Sequence, residues 1–141
     1  MILDTNVLIY AVGGEHPLRE PARRLIAAIR DGTVLATTSV LVLQEVTYVY
    51  ARRRGSAEAA ALVRAYVELL EPLLAVEQVH LMTALRLVER YDLRPSDALI
   101  AAAAIQSSFP LVTADRAFAD VPEVQAVLLA ESTVERLLAR S

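Results

Sequence analysis

Four carboxylates stand where an apolar sequence has least reason to hold one: Asp4 in MILDTNVLIY, Glu45 in VLVLQEVTYVY, Asp97 in SDALIAAAAI and Asp115 in TADRAF. An unpaired carboxylate in apolar surroundings is costly, so each acid needs a partner or a task. Singly, each has an ordinary explanation. Asp4 can cap a helix starting near Val7, since DTN consists of capping residues. Glu45, beside Leu41 and Tyr48 on a helical wheel, can be half-exposed and paired with Arg52. Asp97 suits the first turn of a helix, where the macrodipole favours negative charge, and Asp115 can be a turn residue or the cap of a short helix. Together the four supply hard oxygen donors in a chain with no Cys and only His16 and His80, a set suited to Mg²⁺ or Mn²⁺ rather than zinc or copper. Such a cluster repels itself when empty, so a divalent cation is its expected occupant.

The remaining composition removes other chemistries. Without Cys there are no disulfides, no thiolate nucleophile and no sulfur-based zinc site. All fourteen basic residues are Arg, which excludes Walker-type phosphate loops, Schiff-base chemistry and a catalytic amine. The net charge of −3 argues weakly against a polyanionic partner, but neutralising the four acids with metal would bring it to about +1 and leave surface Arg to meet phosphates.

What must position these acids is an alternation of short apolar runs and longer helical segments. Met1 to Leu3, Val34 to Thr37, Leu73 to Val76, Leu111 to Thr113 and Val127 to Leu129 read as buried strands, too uniformly apolar for a half-exposed antiparallel sheet. Leu18, Ala22, Leu25, Ile26 and Ile29 form one helical stripe, with Pro21 in the first turn and Gly32 just past the end. Ser39 caps a helix running to Arg54, Gly55 closes it, and Ser56 starts the next. Leu81, Leu85, Val88 and Tyr91 give a further apolar stripe before the break at Pro95. The helix after it, apolar all round, belongs inside, its alanines allowing close approach to a sheet. Gly13 to Pro17 read as an exposed loop.

Strands alternating with helices imply a parallel sheet covered on both faces. Ligands of open parallel sheets bind outside the carboxyl ends of the strands, where Asp4 and Asp115 emerge. The 141 residues suit one domain over 1–141. No apolar run approaches the ~18 to 20 residues that span a bilayer, and no export signal opens the chain, so the expected location is the cytoplasm.

The stretches MILDTNVLIY, TSVLVLQEV, LRPSDALIAAAA and LVTADRAF resemble, in order and spacing, the acidic motifs of PIN-domain ribonucleases, specifically the VapC toxins of type II toxin–antitoxin pairs. The likeness spans essentially the whole chain, and all four acidic positions are filled. It implies a three-layer α/β/α fold with a five-stranded parallel sheet, homodimers, and a VapB-type antitoxin that covers the acidic groove. It also implies Asp4, Glu45, Asp97 and Asp115 as the metal-binding acids, with Asn6 and Thr113 supporting them by hydrogen bonds. Thr5 and Ser96 complete the motifs without a role beyond capping. The expected activity is metal-dependent cleavage of RNA by an activated water, which needs no side-chain nucleophile. Arg52, Arg53, Arg94 and Arg116, with Arg54, are candidates for RNA contacts, although the triple Arg also suits a solvated helix end.

Two other readings compete. An aspartate-based phosphatase of the haloacid-dehalogenase type needs a second Asp two residues after the first, where Asn6 stands, and a Lys that is absent. A non-catalytic module for dimerisation and partner binding suits the apolar fraction but gives Glu45 and Asp97 no reason to interrupt apolar helices.

Overall fold

The computed structural model of the chain describes residues 1–140. Strand β1 (Ile2–Leu3) leads into helix α1 (Thr5–Val12), followed by α2 (Arg19–Arg30), α3 (Val40–Arg54), α4 (Ser56–Leu70), α5 (Gln78–Arg90) and α6 (Pro95–Ser107). Strand β2 (Leu111–Thr113), a 3₁₀ turn (Arg116–Asp120), strand β3 (Ala126–Leu128) and helix α7 (Glu131–Ala139) complete it. The strands run parallel in the order β1-β2-β3, with Leu3 beside Val112 and Thr113 beside Leu128. Ile2, Leu3, Leu111, Val112 and Thr113 are all buried. Because successive strand residues point to opposite faces, both faces of β1 and β2 are covered.

The sheet is smaller than the five strands expected. Three regular strands form among the described residues, and the segments around Thr37 and Leu74 contribute one parallel bridge each, Thr37 to Ile2 and Ser39 to Leu74. Their shortness has a local cause. Val34 is still tied to the end of α2 through its N–H to Ala28, and α3 begins at Val40, leaving only the five residues Leu35 to Ser39 between them. The Leu74 segment is confined between Pro72, which has no N–H to donate, and the capping Glu77 of α5. The regular sheet is thus three-stranded, with the two further segments attached on its β1 side by single parallel bridges.

Helix boundaries follow capping chemistry. Ser39 accepts a hydrogen bond from the Val42 N–H at 3.2 Å and opens α3; Gly55, at φ +90°, turns the chain into α4. Pro95 is the first residue of α6, where its missing N–H costs nothing. The Tyr66 hydroxyl donates to the buried Leu8 carbonyl at 2.8 Å, fastening α4 to α1. At the end of the chain, α7 packs against α2, Val134 is buried, and Arg24 pairs with Glu131. Among the described residues no helix is long and apolar enough to cross a membrane.

Helix α5 turns the other way from its apparent stripe. It buries Thr83, Ala84 and Leu87, while Leu81, Leu85 and Val88 stay exposed together with Val79 and Met82. The neighbour decides this: α5 packs on α6, whose Ala101 to Ala104 are buried, and small residues permit the closest contact there. Gln106 reaches across from α6 to the Thr83 hydroxyl at 3.2 Å.

Replacing Ser39 by Ala removes the cap of α3 and leaves the Val42 N–H buried without a partner. A loss of about 1 kcal/mol is expected, read as a fall in melting temperature of about 3 °C by circular dichroism; an unchanged transition would show that the cap adds nothing.

Candidate active site

The geometry starts at the end of β1. Asp4 leaves the strand in extended conformation and caps α1: its Oδ1 accepts the Thr5 N–H at 2.8 Å. Its Oδ2 accepts the Thr113 hydroxyl at 2.6 Å, from the neighbouring strand β2. Asp4 is therefore the expected cap of α1 and is tied at the same time to the end of β2. Only 3% of Asp4 is exposed. Burial pushes its carboxyl up to about 6; the bonds from Thr113 and Thr5 oppose that rise, and the negative charges of Asp97 and Glu45 add to it.

Around Asp4 the supporting hydrogen bonds interlock. Thr113 Oγ1, while donating to Asp4, accepts the Asp115 N–H at 3.0 Å. Asn6 Oδ1 accepts the Ala114 N–H at 2.9 Å. The first turn of α1 thus holds the loop after β2, and Asp115 caps the 3₁₀ turn through the Ala117 N–H at 2.9 Å. Thr113 thus bonds directly to an acid, whereas Asn6 is bonded to the Ala114 N–H next to Asp115.

Glu45 is brought in by Thr5, whose hydroxyl donates to Glu45 Oε2 at 2.6 Å. Thr5 was missed as a site residue, its only signal being its position between Asp4 and Asn6. Arg52 does not pair with Glu45; it turns to the Tyr48 hydroxyl at 2.9 Å. Asp97, in the first turn of α6 and 8% exposed, accepts the Arg94 Nε–H at 3.0 Å. Burial holds the Asp97 carboxyl above its ordinary value despite Arg94, and the charges of Asp115 and Glu45 contribute in the same direction.

All four acids line one cavity of about 660 Å³, with Thr5, Asn6, Tyr10, Tyr48, Arg53 and Arg94 on the same wall. Of the other candidate cations, Arg52 lies on Tyr48, Arg54 pairs with Glu58, and Arg116 is exposed and not on that wall. His16 stacks on Tyr10, and His80 accepts the Glu77 N–H at the start of α5, so neither imidazole enters the site. Among the described residues, no three carboxylate or imidazole side chains are drawn together as a ready-made ligand set. Hydrogen bonds to Thr113, Thr5 and Arg94 occupy the acids instead. Their chemistry still fits a hard dication: the wall offers carboxylate oxygens without nitrogen or sulfur ligands, and the charges of Asp97 and Glu45 already bear on Asp4.

Asp4 gives these electrostatics a measurable sign. Its native carboxyl binds a proton more tightly than the unfolded chain does, so ionisation opposes folding. The opposition is absent below about pH 3.8, grows as pH rises through about 6, and then reaches on the order of 3 kcal/mol. Metal-free Asp4→Asn is expected to be at least as stable as the wild type at pH 7.5, with the advantage shrinking toward pH 4. Urea denaturation in EDTA measures the difference; a variant less stable at pH 7.5 would mean that the lost capping bonds outweigh charge relief.

The family model for the PIN domain matches residues 1–124. Ribonuclease VapC7 of Mycobacterium tuberculosis is 41% identical over 133 residues, covering 91% of this chain and 90% of that protein. VapC ribonuclease Mb1869c of Mycobacterium bovis is 30% identical over 129 residues, covering 89% and 97%. Among solved structures, DNA-bound VapBC from Salmonella typhimurium superposes with a TM-score of 0.73 at 18% identity, covering 92% of this chain and 97% of that one. VapBC2 from Rickettsia felis, bound to a promoter DNA fragment, gives a TM-score of 0.70 at 19% identity over 90% and 96%. A domain match over most of the chain, joined to relatives this similar over nearly their full length, means that the chain belongs to the PIN-domain family and, within it, to the VapC proteins.

Proposed function

We propose that this chain is a divalent-metal-dependent endoribonuclease of the VapC toxin type, hydrolysing RNA phosphodiester bonds and neutralised by a VapB-type antitoxin. The observation that carries the reading is the sharing of one cavity by Asp4, Glu45, Asp97 and Asp115, from four separate elements. A bound Mg²⁺ or Mn²⁺ would supply what side chains alone lack here, acidification of an attacking water and positive charge against the transition state. Asp4, Asp97 and Asp115 are the residues to hold it, with Glu45 ligating directly or through water. Thr113 and the Thr5 N–H keep Asp4 aimed, the Thr5 hydroxyl orients Glu45, and Asn6 anchors the loop that presents Asp115. Arg94, its side chain 79% exposed, shields Asp97 from its acidic neighbours and is placed to meet an RNA phosphate beside Arg53.

The partners follow from the relatives. Ribonuclease VapC7 supports RNA as substrate, and the VapBC complexes support an antitoxin of the VapB kind. The exposed apolar face of α5, with Val79, Leu81, Met82, Leu85 and Val88, is the surface we assign to pairing of two copies. The cytoplasm, where an RNA substrate and such an antitoxin would be met, is the location this reading supports. A phosphatase reading gains nothing, because Asn6, standing where a second Asp is needed, is engaged with the Ala114 N–H.

Purified protein incubated with total RNA is expected to cleave it in Mn²⁺ or Mg²⁺ and to stop in EDTA. Asp97→Asn and Asp4→Asn should lower cleavage by at least ~100-fold, since each removes a ligand to the ion on which the chemistry depends. Equal cleavage in EDTA, or by either variant, would remove the metal-dependent reading.

A further inference from the structure

One aromatic on the cavity wall has no task in the reaction as described. Tyr48 follows Glu45 by three residues on α3, so it stands about one turn along the same side of the helix. It lines the cavity with the four acids, yet 59% of it remains exposed. Two contacts from Arg52 steady the ring: an N–H donated to its hydroxyl at 2.9 Å, and the guanidinium carbon 5.7 Å from the ring centre. Tyr10, on the same wall, already has a stacking partner in His16, the ring centres being 4.1 Å apart.

We propose that Tyr48, held by Arg52, is the platform on which an unpaired nucleobase next to the scissile phosphate stacks, and so selects single-stranded RNA. The inference rests on the nuclease reading and adds to it a residue that grips the base. A base inside a duplex is already stacked and paired, whereas an unpaired one is free to lie on an aromatic face, and a guanidinium beside the ring strengthens such a platform. Arg53 and Arg94 on the same wall supply charge for the adjoining phosphates. An apolar protein partner explains Tyr48 less well. The ring does edge an apolar groove with Val40, Leu43, Val63, Val67 and Leu73, but its place beside two arginines, and four acids whose charge a metal ion would offset, suits a polyanion.

The test uses the full chain carrying Asp97→Asn, which blocks cleavage, in Mg²⁺, titrated against a short single-stranded RNA containing 2-aminopurine and against the same RNA annealed to its complement. Stacking quenches the probe. Adding Tyr48→Ala should weaken single-strand binding about tenfold and abolish the quench, Tyr48→Phe should restore both, and duplex binding should not change. Undiminished binding and quench in Tyr48→Ala would overturn the platform. So would a changed oligomeric state in sedimentation with RNA affinity intact, which would assign Tyr48 to a protein interface. Wild-type cleavage of RNA in Mn²⁺ is measured in parallel. If it fails, the nuclease reading falls and the platform with it; if it succeeds while Tyr48→Ala binds normally, the platform alone falls.

Discussion

The hydrogen bond from Thr113 Oγ1 to Asp4 Oδ2, 2.6 Å long and closed to solvent, joins the ends of two parallel strands at the point where the polar cavity meets the core. On one side of it lie Ile2, Leu3, Leu111 and Val112, all buried; on the other lie the remaining acids. A carboxylate placed here resists ionisation, and its partners offset only part of that resistance. The arrangement is coherent if a cation completes it, because a cation favours the charged form that burial opposes. The same Thr113 hydroxyl oxygen receives the Asp115 N–H, so one side chain coordinates the direction of two acids from separate parts of the sheet edge.

The other two acids come from helices whose placement follows from small residues and caps. α6 enters the interior because its alanines demand little room, and its first turn brings Asp97 to the cavity with Arg94 as a local counter-charge. α3 begins where Ser39 caps it, immediately after the Thr37 segment pairs with β1, and this fixes the register that delivers Glu45 to Thr5. The catalytic proposal therefore depends on ordinary folding devices: a cap, a bridge and an alanine-rich interface. At Asp4 and Asp97 folding holds carboxyl groups in surroundings that raise their proton affinity, and their ionisation opposes folding.

Much of this could be read from residue order, and the exceptions have physical causes. Caps at Ser39 and Gly55, Pro95 at a helix start and the all-apolar α6 are local signals, so they appeared where expected. Asp4 and Asp97 are conspicuous as acids near element ends in apolar contexts, whereas Asn6 and Thr113 are legible only through the motif resemblance. The extent of the sheet was less legible. Whether an apolar run forms a strand or a single bridge depends on how soon the flanking helices begin, as at Thr37 and Leu74. The buried face of α5 departs from its apolar stripe for a similar reason: Leu81, Leu85 and Val88 are the stronger stripe, but the alanines of α6 select Ala84 and Leu87. The bond from Thr5 leaves no local signal because its partner Glu45 lies forty residues away, a separation no local pattern can cross. Arg52 stands two helical turns after Glu45, a spacing that suits a pair, yet it engages Tyr48 instead.

The proposed metal site is a single hollow lined by four carboxylates, whose charge a hard dication would neutralise. Anomalous X-ray diffraction from crystals grown with Mn²⁺ tests this most directly. A peak inside the cavity, about 2.1 Å from oxygens of at least two of Asp4, Asp97 and Asp115, is the predicted result, with Arg94 released from Asp97. Crystals saturated with Mn²⁺ that show no peak there, with Asp4 still bonded to Thr113 and Asp97 to Arg94 alone, would contradict it.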